Sequence, residues 1–226
     1  MLRITSIEKA KKKGYHLFVE DEYALTVSAE VLAETGLRVG QEITPQRLDE
    51  IRTLCDRRRA RERALYLLES RSHSQKELFD KLCKSVPEEI AAEVTRRMAE
   101  LGLVDDAAYA RRWASMLWQE KKYGPRRIRQ GLMQKGFDRE LVEEVLEEMR
   151  DSFGEDEAEE QLAGLIRRKY ARYLADGDPK GRNKAVNGLL RLGYDYEQIR
   201  SALRNFSENR GVNYGNQSGN GVPWMF

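Results

Sequence analysis

The feature that most restricts the fold of this sequence is a helical unit that occurs three times, over residues 57–104, 106–150 and 157–205. A unit of this length cannot bury its own apolar face, so it must stack on its neighbours. We therefore predict a mainly α-helical fold, an elongated tandem array of three three-helix repeats with a small N-terminal β-hairpin region. The second and third copies align at a constant offset of 57 residues, which pairs Gly124 with Gly181, Gly136 with Gly193, Asp138 with Asp195, Val142 with Ile199, and Leu146 with Leu203.

The first copy is more diverged, but its apolar positions follow the same pattern. Leu78 and Leu82 occupy the places of Ile128 and Leu132 in the second copy. Residues four apart lie on one face of a helix, so both pairs are predicted to be core residues. The chain then divides into a β-rich region at 1–44, a first repeat with a long lead helix at 45–104, a second repeat at 105–150, a third repeat at 151–206 and a flexible tail at 207–226.

The N-terminal region is the part of the chain with the two-residue periodicity of strands. Residues 15–19 and 23–27 are rich in aromatic and β-branched side chains and are separated by three acidic residues, a pattern typical of a β-hairpin. Residues 4–7 are predicted to add a third strand, and residues 37–43 to return as a further strand.

Helix starts are marked by capping residues. Thr44 precedes Pro45, a combination that favours a helix start, and the pattern continues without a breaker to Ser70, a length of about 26 residues. Ser74 and Glu77 have the spacing of a capping box. The predicted helix starts are Ser28, Thr44, Ser74, Pro87, Asp106, Asp138 and Asp195, with the first helix ending at Gly36.

Composition excludes several classes of protein. Of the 226 residues 40% are hydrophobic and 35% charged, with a net charge of +2, which is low for a protein whose main partner is naked duplex DNA. No apolar run approaches the roughly 20 residues of a membrane span, and the start does not resemble a secretory signal. We expect a soluble, monomeric, cytoplasmic protein whose two cysteines, Cys55 and Cys83, are reduced.

Basic residues are concentrated in three clusters, one in each repeat, and these are the candidate binding residues for a protein partner or DNA. Such runs are also typical of a solvated helix face, and the glutamates at 143–144 and 147–148 are candidate internal partners for them. The candidates are Arg57, Arg58, Arg59, Arg61 and Arg63, then Lys121, Lys122, Arg126, Arg127 and Arg129, then Arg167, Arg168, Lys169 and Arg172.

No constellation of residues in the sequence indicates catalysis. Adjacent carboxylates at Asp105 and Asp106 precede a helix, where capping is the favoured interpretation over a nuclease site. The spacing of Cys55, His73 and Cys83 is too irregular for zinc, and no phosphate-binding glycine motif is present. We predict that the protein is not an enzyme and has no cofactor or metal.

Three aromatic residues allow two interpretations. Tyr109 and Trp113 lie four residues apart on one helical face, with Trp118 further on. Such side chains can stack on bases. Packing in the core or between repeats is the interpretation that we favour.

The sequence resembles the RecX family of bacterial regulators of the recombinase RecA. The resemblance covers the middle of the chain, and the combination of its second and third segments makes it specific. It is carried by RSHSQKEL at 71–78, LGLVDDAAYA at 101–110 and KKYGPRRI at 121–128, together with Lys81, Leu82, Trp113 and Leu132.

The resemblance implies three tandem three-helix repeats and a regulatory role without chemistry. Family members bind in the helical groove of the RecA filament on single-stranded DNA and restrain ATP hydrolysis, strand exchange and filament extension. A periodic array also suits a periodic partner, because successive units meet successive subunits. The alternative is a general DNA-binding helical-repeat protein, which would bind single- or double-stranded DNA with a steep salt dependence.

The tail from Ser207 is rich in glycine and asparagine and then ends in an apolar stretch at 222–226. The composition predicts a loose segment. The alternative is a peptide hook that docks on a partner or on another copy, and the loose tail is the interpretation that we favour.

Overall fold

The computed structural model describes residues 1–11, 13–175 and 178–208, with the side chain of Glu155 excepted. The chain forms two compact units, Met1–Tyr109 and Ala110–Phe226. The fold is mainly helical with a small antiparallel sheet at its start, as predicted. Within the described ranges, no helix combines the length and the apolar character needed to cross a bilayer.

The sheet of the first unit has four antiparallel strands in the order β3-β2-β1-β4. The predicted hairpin is confirmed, and its two turn residues, Glu20 and Asp21, both have positive φ, as a tight two-residue hairpin turn requires. The strand predicted at 37–43 is shorter than expected, because Gln41 donates to the Arg38 carbonyl in a turn. The strands are β1 Leu2–Lys9, β2 Tyr15–Val19, β3 Glu22–Val27 and β4 Glu42–Ile43.

One face of the sheet packs on a short helix, α1 (Ala29–Thr35), and on the first part of the long helix α2 (Pro45–Ser70). Ile4, Leu17, Val31 and Ile51 are fully buried in this core. Ser28 caps α1 by accepting from the Val31 N–H at 3.2 Å. The predicted cap and the predicted length of α2 are both confirmed.

The first three-helix domain consists of the rest of α2, α3 (Gln75–Leu82) and α4 (Glu88–Glu100). The predicted capping box is present: the Ser74 hydroxyl accepts from the Glu77 N–H at 3.1 Å, and the Glu77 carboxylate accepts from the Ser74 N–H at 3.3 Å. The three helices share a core in which Ala60, Ala64, Leu78, Leu82 and Met98 are buried.

The start of the next helix, α5 (Asp106–Gln119), corrects the predicted cap. The capping residue is Asp105, whose carboxylate accepts from the Ala108 N–H at 2.8 Å. Asp106 is the first helical residue, and its carboxylate accepts from the Gln75 N–H at the start of α3, at 2.9 Å. The two carboxylates therefore stabilise two different helix starts, where a negative charge is favourable.

The second domain continues with α6 (Pro125–Gln134) and α7 (Arg139–Leu165), which Asp138 caps as predicted. Helix α7 is interrupted at Gly154, whose φ of 65° and ψ of 170° are not helical. A glycine tolerates these angles because it has no Cβ. The single residue therefore joins two helical segments without an intervening loop.

The third domain contains the second segment of α7, a π-helical turn (Ile166–Tyr170), α8 (Ala171–Leu174), α9 (Pro179–Arg191) and α10 (Tyr196–Glu208). Helix α9 begins at Pro179 behind the cap Asp178, so Gly181 lies inside the first turn and does not mark the helix start as Gly124 does. Helix α10 extends two residues past the predicted boundary at 206. The rest of the predicted tail and its apolar end lie outside the described residues.

The predicted equivalence of the repeats is confirmed in their cores. Leu78 and Leu82 in the first domain and Ile128 and Leu132 in the second are all fully buried. The same holds for Val142 and Ile199, which the offset of 57 residues pairs, while Leu146 and Leu203 are also buried. The three domains are thus built on the same apolar positions.

Candidate functional site

The first basic cluster lies on α2, and three of its five arginines are paired with acidic side chains. Arg57 contacts Glu93 at 2.9 Å, and Arg59 contacts Asp56 at 3.1 Å. Arg58 lies 3.6 Å from both Glu30 and Glu62. Apart from the half-buried Asp56, the carboxylates of these pairs are exposed, so the pairs neutralise charge without adding much stability.

Arg61 and Arg63 complete this cluster and have no carboxylate within ion-pair distance in the described part of the chain. The Arg63 guanidinium lies 5.3 Å from the ring centroid of Tyr66. Tyr66 is 64% exposed and its neighbour Leu65 is 44% exposed. We call the exposed helix turn with Arg61, Arg63, Leu65 and Tyr66 the α2 face; Arg61 and Leu65 lie on one side of it, and Arg63 and Tyr66 on the other. It combines unpaired cations with exposed apolar surface.

In the second basic cluster, three arginines serve contacts within the fold. Arg126 forms an ion pair with Asp195, and Arg129 contacts Glu143 at 2.6 Å. The Arg127 guanidinium lies 5.2 Å from the ring centroid of Tyr123. Arg127 and Arg129 therefore make contacts within the second domain, whereas Arg126 contacts the third domain.

The second and third domains meet backbone to backbone at Gly124 and Gly193. The Gly124 N–H donates to the Leu192 carbonyl at 2.7 Å, and the Arg126 N–H donates to the Gly193 carbonyl at 3.2 Å. A Cβ on Gly124 would lie 2.5 Å from the Gly193 oxygen, and a Cβ on Gly193 would overlap the backbone of Arg127. Both positions therefore require glycine. We call this contact the glycine junction.

Tyr194 extends the glycine junction. Its hydroxyl donates to the Lys122 carbonyl at 3.2 Å and accepts from Gln161 Nε2 at 3.0 Å. The side chain is 2% exposed, and this burial raises the pKa of Tyr194 to about 12. Lys122, with a φ of 57°, turns its carbonyl towards Tyr194, whereas Lys121 is exposed.

The third basic cluster lies on the π-helical turn and α8. Arg167 is paired with Glu160 at 2.5 Å. Arg168 and Lys169 are exposed, and no ion pair is found for either side chain among the described residues. Arg172 donates to the Tyr173 hydroxyl at 2.6 Å.

The ring of Tyr173 carries two cations. The Arg172 guanidinium lies 4.6 Å from the ring centroid, and the Lys184 Nζ lies 4.3 Å from it. The hydrogen bond from Arg172, followed by that from Lys184, lowers the pKa of the Tyr173 phenol. Sequence reasoning missed Lys184 and Tyr173, because α9 brings Lys184 to the ring from a separate helix.

Arg111 on α5 is a further arginine that sequence reasoning missed. It contacts Glu144 at 2.8 Å and Glu148 at 2.7 Å, and its hydrogen bond lowers the pKa of the Glu148 carboxyl. The alternative that the glutamates of α7 pair with the basic clusters holds for Glu143, which contacts Arg129, whereas Glu144 and Glu148 pair with Arg111 outside the clusters. The partner could not be read from local spacing, because it lies 33 residues before Glu144.

The aromatic side chains on α5 are mostly unavailable to nucleotide bases. Tyr109 and Trp118 are buried, and Trp118 stacks on Phe153 with ring centroids 5.5 Å apart. Trp113 is half-buried, with the Lys135 ammonium 4.4 Å from its ring centroid. The packing interpretation is therefore correct for Tyr109 and Trp118.

A cleft of about 930 Å³ lies within the second unit. Trp118, Ile128 and Phe153 line it from the second domain, and Leu162 and Phe206 line it from the third. Its described lining includes no histidine or cysteine. Charged side chains, among them Arg129, Glu160 and Glu197, line it beside these apolar groups.

Two further titratable side chains, those of His73 and Cys55, are buried in the fold. His73 is buried and donates from Nδ1 to the Arg71 carbonyl at 3.0 Å, and burial lowers its pKa. Burial raises the pKa of the Cys55 thiol, which keeps it protonated at neutral pH. Throughout the described ranges, no three histidine, cysteine or acidic side chains are grouped so that they could hold a metal ion.

Comparison with known families identifies all three domains. Residues 60–98 match the model of the first three-helix domain of RecX, residues 105–146 the second and residues 155–203 the third. A crystal structure of a regulatory protein RecX superposes with a TM-score of 0.62 at 26% identity, covering 89% of this chain and all of that one. A RecX structure from Lactobacillus salivarius, at 23% identity and a TM-score of 0.60, shares the fold over 68% of this chain and 97% of its own.

Curated relatives agree with these matches. A protein of Listeria monocytogenes serotype 4a named regulatory protein RecX is 28% identical over 206 residues, which are 89% of this chain and 74% of the relative. A protein of the same name from Lactobacillus delbrueckii subsp. bulgaricus is 35% identical over 153 residues, which are 67% of this chain and 56% of the relative. The chain therefore belongs to the RecX family of regulatory proteins.

Proposed function

We propose that the protein binds the RecA filament on single-stranded DNA, in its helical groove. Bound there, it mainly inhibits ATP hydrolysis, strand exchange and filament extension. It acts in the cytoplasm as a monomer, by contact alone, without a cofactor and without chemistry of its own. The observation that carries the proposal is the presence of three like domains in tandem, all built on the same buried positions.

The glycine junction supports this proposal. Tandem binding modules gain affinity from one another only when their spacing matches the spacing of their sites. Backbone hydrogen bonds from Gly124 and Arg126 fix the second domain against the third. Two domains held in one arrangement suit a partner whose subunits repeat at a fixed interval.

The α2 face is the surface best suited to the protein part of such a filament. Arginine and tyrosine are the residues that most often dominate binding at protein interfaces. Arg63 and Tyr66 lie side by side there, with Leu65 also exposed.

Co-sedimentation with RecA filaments assembled on single-stranded DNA tests the proposal, with bare DNA alongside. We expect the protein to pellet with the filaments and to lower their rate of ATP hydrolysis. Binding to bare DNA of equal strength, with no effect on ATP hydrolysis, would contradict the proposal and favour the alternative of a general DNA-binding protein. The unpaired cations Arg168 and Lys169 are the observation that favours this alternative.

The ion pairs determine which arginines can be reversed in this experiment without disturbing the fold. Charge reversal at Arg126 also removes the contact with Asp195, so it changes the glycine junction as well as the surface. Reversal at Arg61 and Arg63 avoids this problem, because neither arginine holds an acidic partner within the described ranges. These two positions therefore separate loss of binding from loss of structure.

A further inference from the structure

Charge is strongly segregated in the second unit. Residues 139–160 contain eleven acidic and two basic residues, whereas residues 165–191 contain eight basic and two acidic ones. The boundary falls where α7 passes into the π-helical turn. The balanced total charge of the chain conceals this separation.

Most of the paired carboxylates of α7 bind arginines that lie outside the basic stretch 165–191. Glu143 pairs with Arg129, while Glu144 and Glu148 pair with Arg111. In the basic stretch 165–191, Arg167 pairs with Glu160 of α7. Among the described residues, no ion pair is found for Arg168, Lys169, Arg172 or Lys184, so these four cations keep their charge available for a ligand.

Close packing holds this basic surface in place. The Tyr170 hydroxyl occupies the space that a side chain on Gly188 would fill, and the Tyr173 carbonyl occupies the space beside Gly181. Both glycines lie on α9, so α9 packs directly against the π-helical turn and α8. Such turns often occur at functional sites.

We infer that Arg168, Lys169, Arg172, Tyr173 and Lys184, the α8 face, bind the phosphate backbone of single-stranded DNA. The inference rests on the proposed function and deepens it, because it assigns the DNA strand of the filament to the third domain. Guanidinium and ammonium groups beside a phenol hydroxyl form the donor set that phosphate oxygens accept from.

Exposed apolar side chains distinguish this surface from the α2 face. Among the described residues, the large apolar side chains that are exposed include Leu65 and Tyr66, but none lies between 164 and 185. Protein interfaces use apolar and aromatic anchors, whereas DNA interfaces are polar and strongly basic. The α8 face therefore fits DNA, and an acidic protein surface is the competing partner.

The test compares two variants of equal charge. Arg168→Glu with Lys169→Glu alters the α8 face. Arg200→Glu with Arg204→Glu makes the same charge change on exposed α10 positions that do not line the cleft. Fluorescence anisotropy with a labelled oligothymidylate gives the affinity over a range of salt concentrations, and thermal melting verifies that both variants fold.

We expect the α8-face variant to bind the oligothymidylate roughly tenfold more weakly than the control. The slope of log K against log salt should fall by about 1.4, because a single strand contributes about 0.7 for each phosphate contact. Equal affinities for the two variants, or a wild-type protein that does not bind the oligothymidylate, would overturn the inference. Displacement of the oligothymidylate by polyglutamate at equal charge would also overturn it, in favour of an acidic protein partner.

Co-sedimentation with filaments distinguishes a failure of this inference from a failure of the proposed function. If the wild-type protein fails to bind RecA filaments, the proposed function fails. If it binds them and the α8-face variant matches the control with both filaments and the oligothymidylate, only the inference about DNA fails.

Discussion

Gly124 and Gly193 are 69 residues apart in the sequence, and their backbones touch in the fold. The contact joins the start of α6 to the turn between α9 and α10, and two backbone hydrogen bonds accompany it. The second and third domains are therefore locked by main-chain atoms, with the Arg126–Asp195 ion pair and Tyr194 beside them.

Gly193→Ala should destabilise the protein by about 2–3 kcal/mol, because the new Cβ meets the Arg127 backbone and the residue has a φ of 89°. Gly164→Ala is the matched control: a Cβ there meets nothing within 4 Å, and α7 is helical at this point. The control should gain up to about 1 kcal/mol. Urea unfolding followed by circular dichroism measures both, and equal effects of the two variants would contradict the prediction.

The Arg126–Asp195 pair should contribute little to stability by itself. Its side chains are 62% and 44% exposed, so we expect a coupling of about 0.2–1 kcal/mol. A double-mutant cycle with Arg126→Ala and Asp195→Ala measures this coupling. Asp195 also accepts from the Glu197 N–H, so its single variant should cost more than that of Arg126. The reverse order would count against this assignment.

Tyr194 should make stability sensitive to alkaline pH. The phenol has an ordinary pKa of 10.0, and burial raises it to about 12 in the fold. Below pH 10 the phenol is neutral in both states, so its contribution is fully present. As the pH rises from 10 to 12, the unfolded chain loses the proton first, and the folded state loses stability.

Tyr194→Phe tests this pH dependence. The variant should be less stable at neutral pH by about 1–2 kcal/mol, because the Lys122 carbonyl and Gln161 lose their partner. Its further loss of stability between pH 10 and 12 should be smaller than that of the wild type. Urea midpoints measured across this range give the comparison, and parallel curves for the two proteins would refute the role of Tyr194.

Asp105 should act as a helix cap and nothing more. Asp105→Ala should cost about 1 kcal/mol, because the Ala108 N–H loses its acceptor, whereas Asp105→Asn retains an acceptor and should cost less. Thermal melting compares the two variants. DNA cleavage that disappears in Asp105→Asn would instead show a catalytic carboxylate.

Reversing both cations of the α2 face, as Arg61→Glu with Arg63→Glu, should weaken binding to RecA filaments by roughly tenfold. Thermal stability should be retained, since no described carboxylate pairs with either arginine. Reversal of Arg47 and Arg52 on the same helix is the control of equal charge, because both arginines are exposed and their exposed pairs with Glu50 and Asp49 contribute little stability. Co-sedimentation compares the variants, and equal binding would exclude the α2 face.

Local signals in the sequence predicted much of the fold. Buried positions such as Leu78 and Ile128 recur with helical spacing, and Ser74 and Asp138 are caps of helices that begin at the next residue. These features depend on a few neighbouring residues. They can therefore be predicted without knowledge of the tertiary fold.

Other features depend on contacts between residues that are far apart in the sequence, and local signals could not predict them. Asp105 and Asp106 are chemically equivalent as caps, and the Gln75 N–H, which is 31 residues away, accounts for the different role of Asp106. Arg126 belonged to a predicted binding cluster, but the fold brings Asp195 to it. Gly181 matches Gly124 in sequence but not in position, because α9 begins at Pro179 and α8 packs against Gly181.

Gly154 joins the second and third domains through one residue, so the direction in which the last helices leave α7 depends on a single pair of torsion angles. The second and third domains are thus connected twice, once along the chain at Gly154 and once through the glycine junction. An inserted residue at 154 would strain the glycine junction, whereas the same insertion in an ordinary surface loop would be absorbed. A different direction of the third domain would therefore require changes at both Gly154 and the glycine junction.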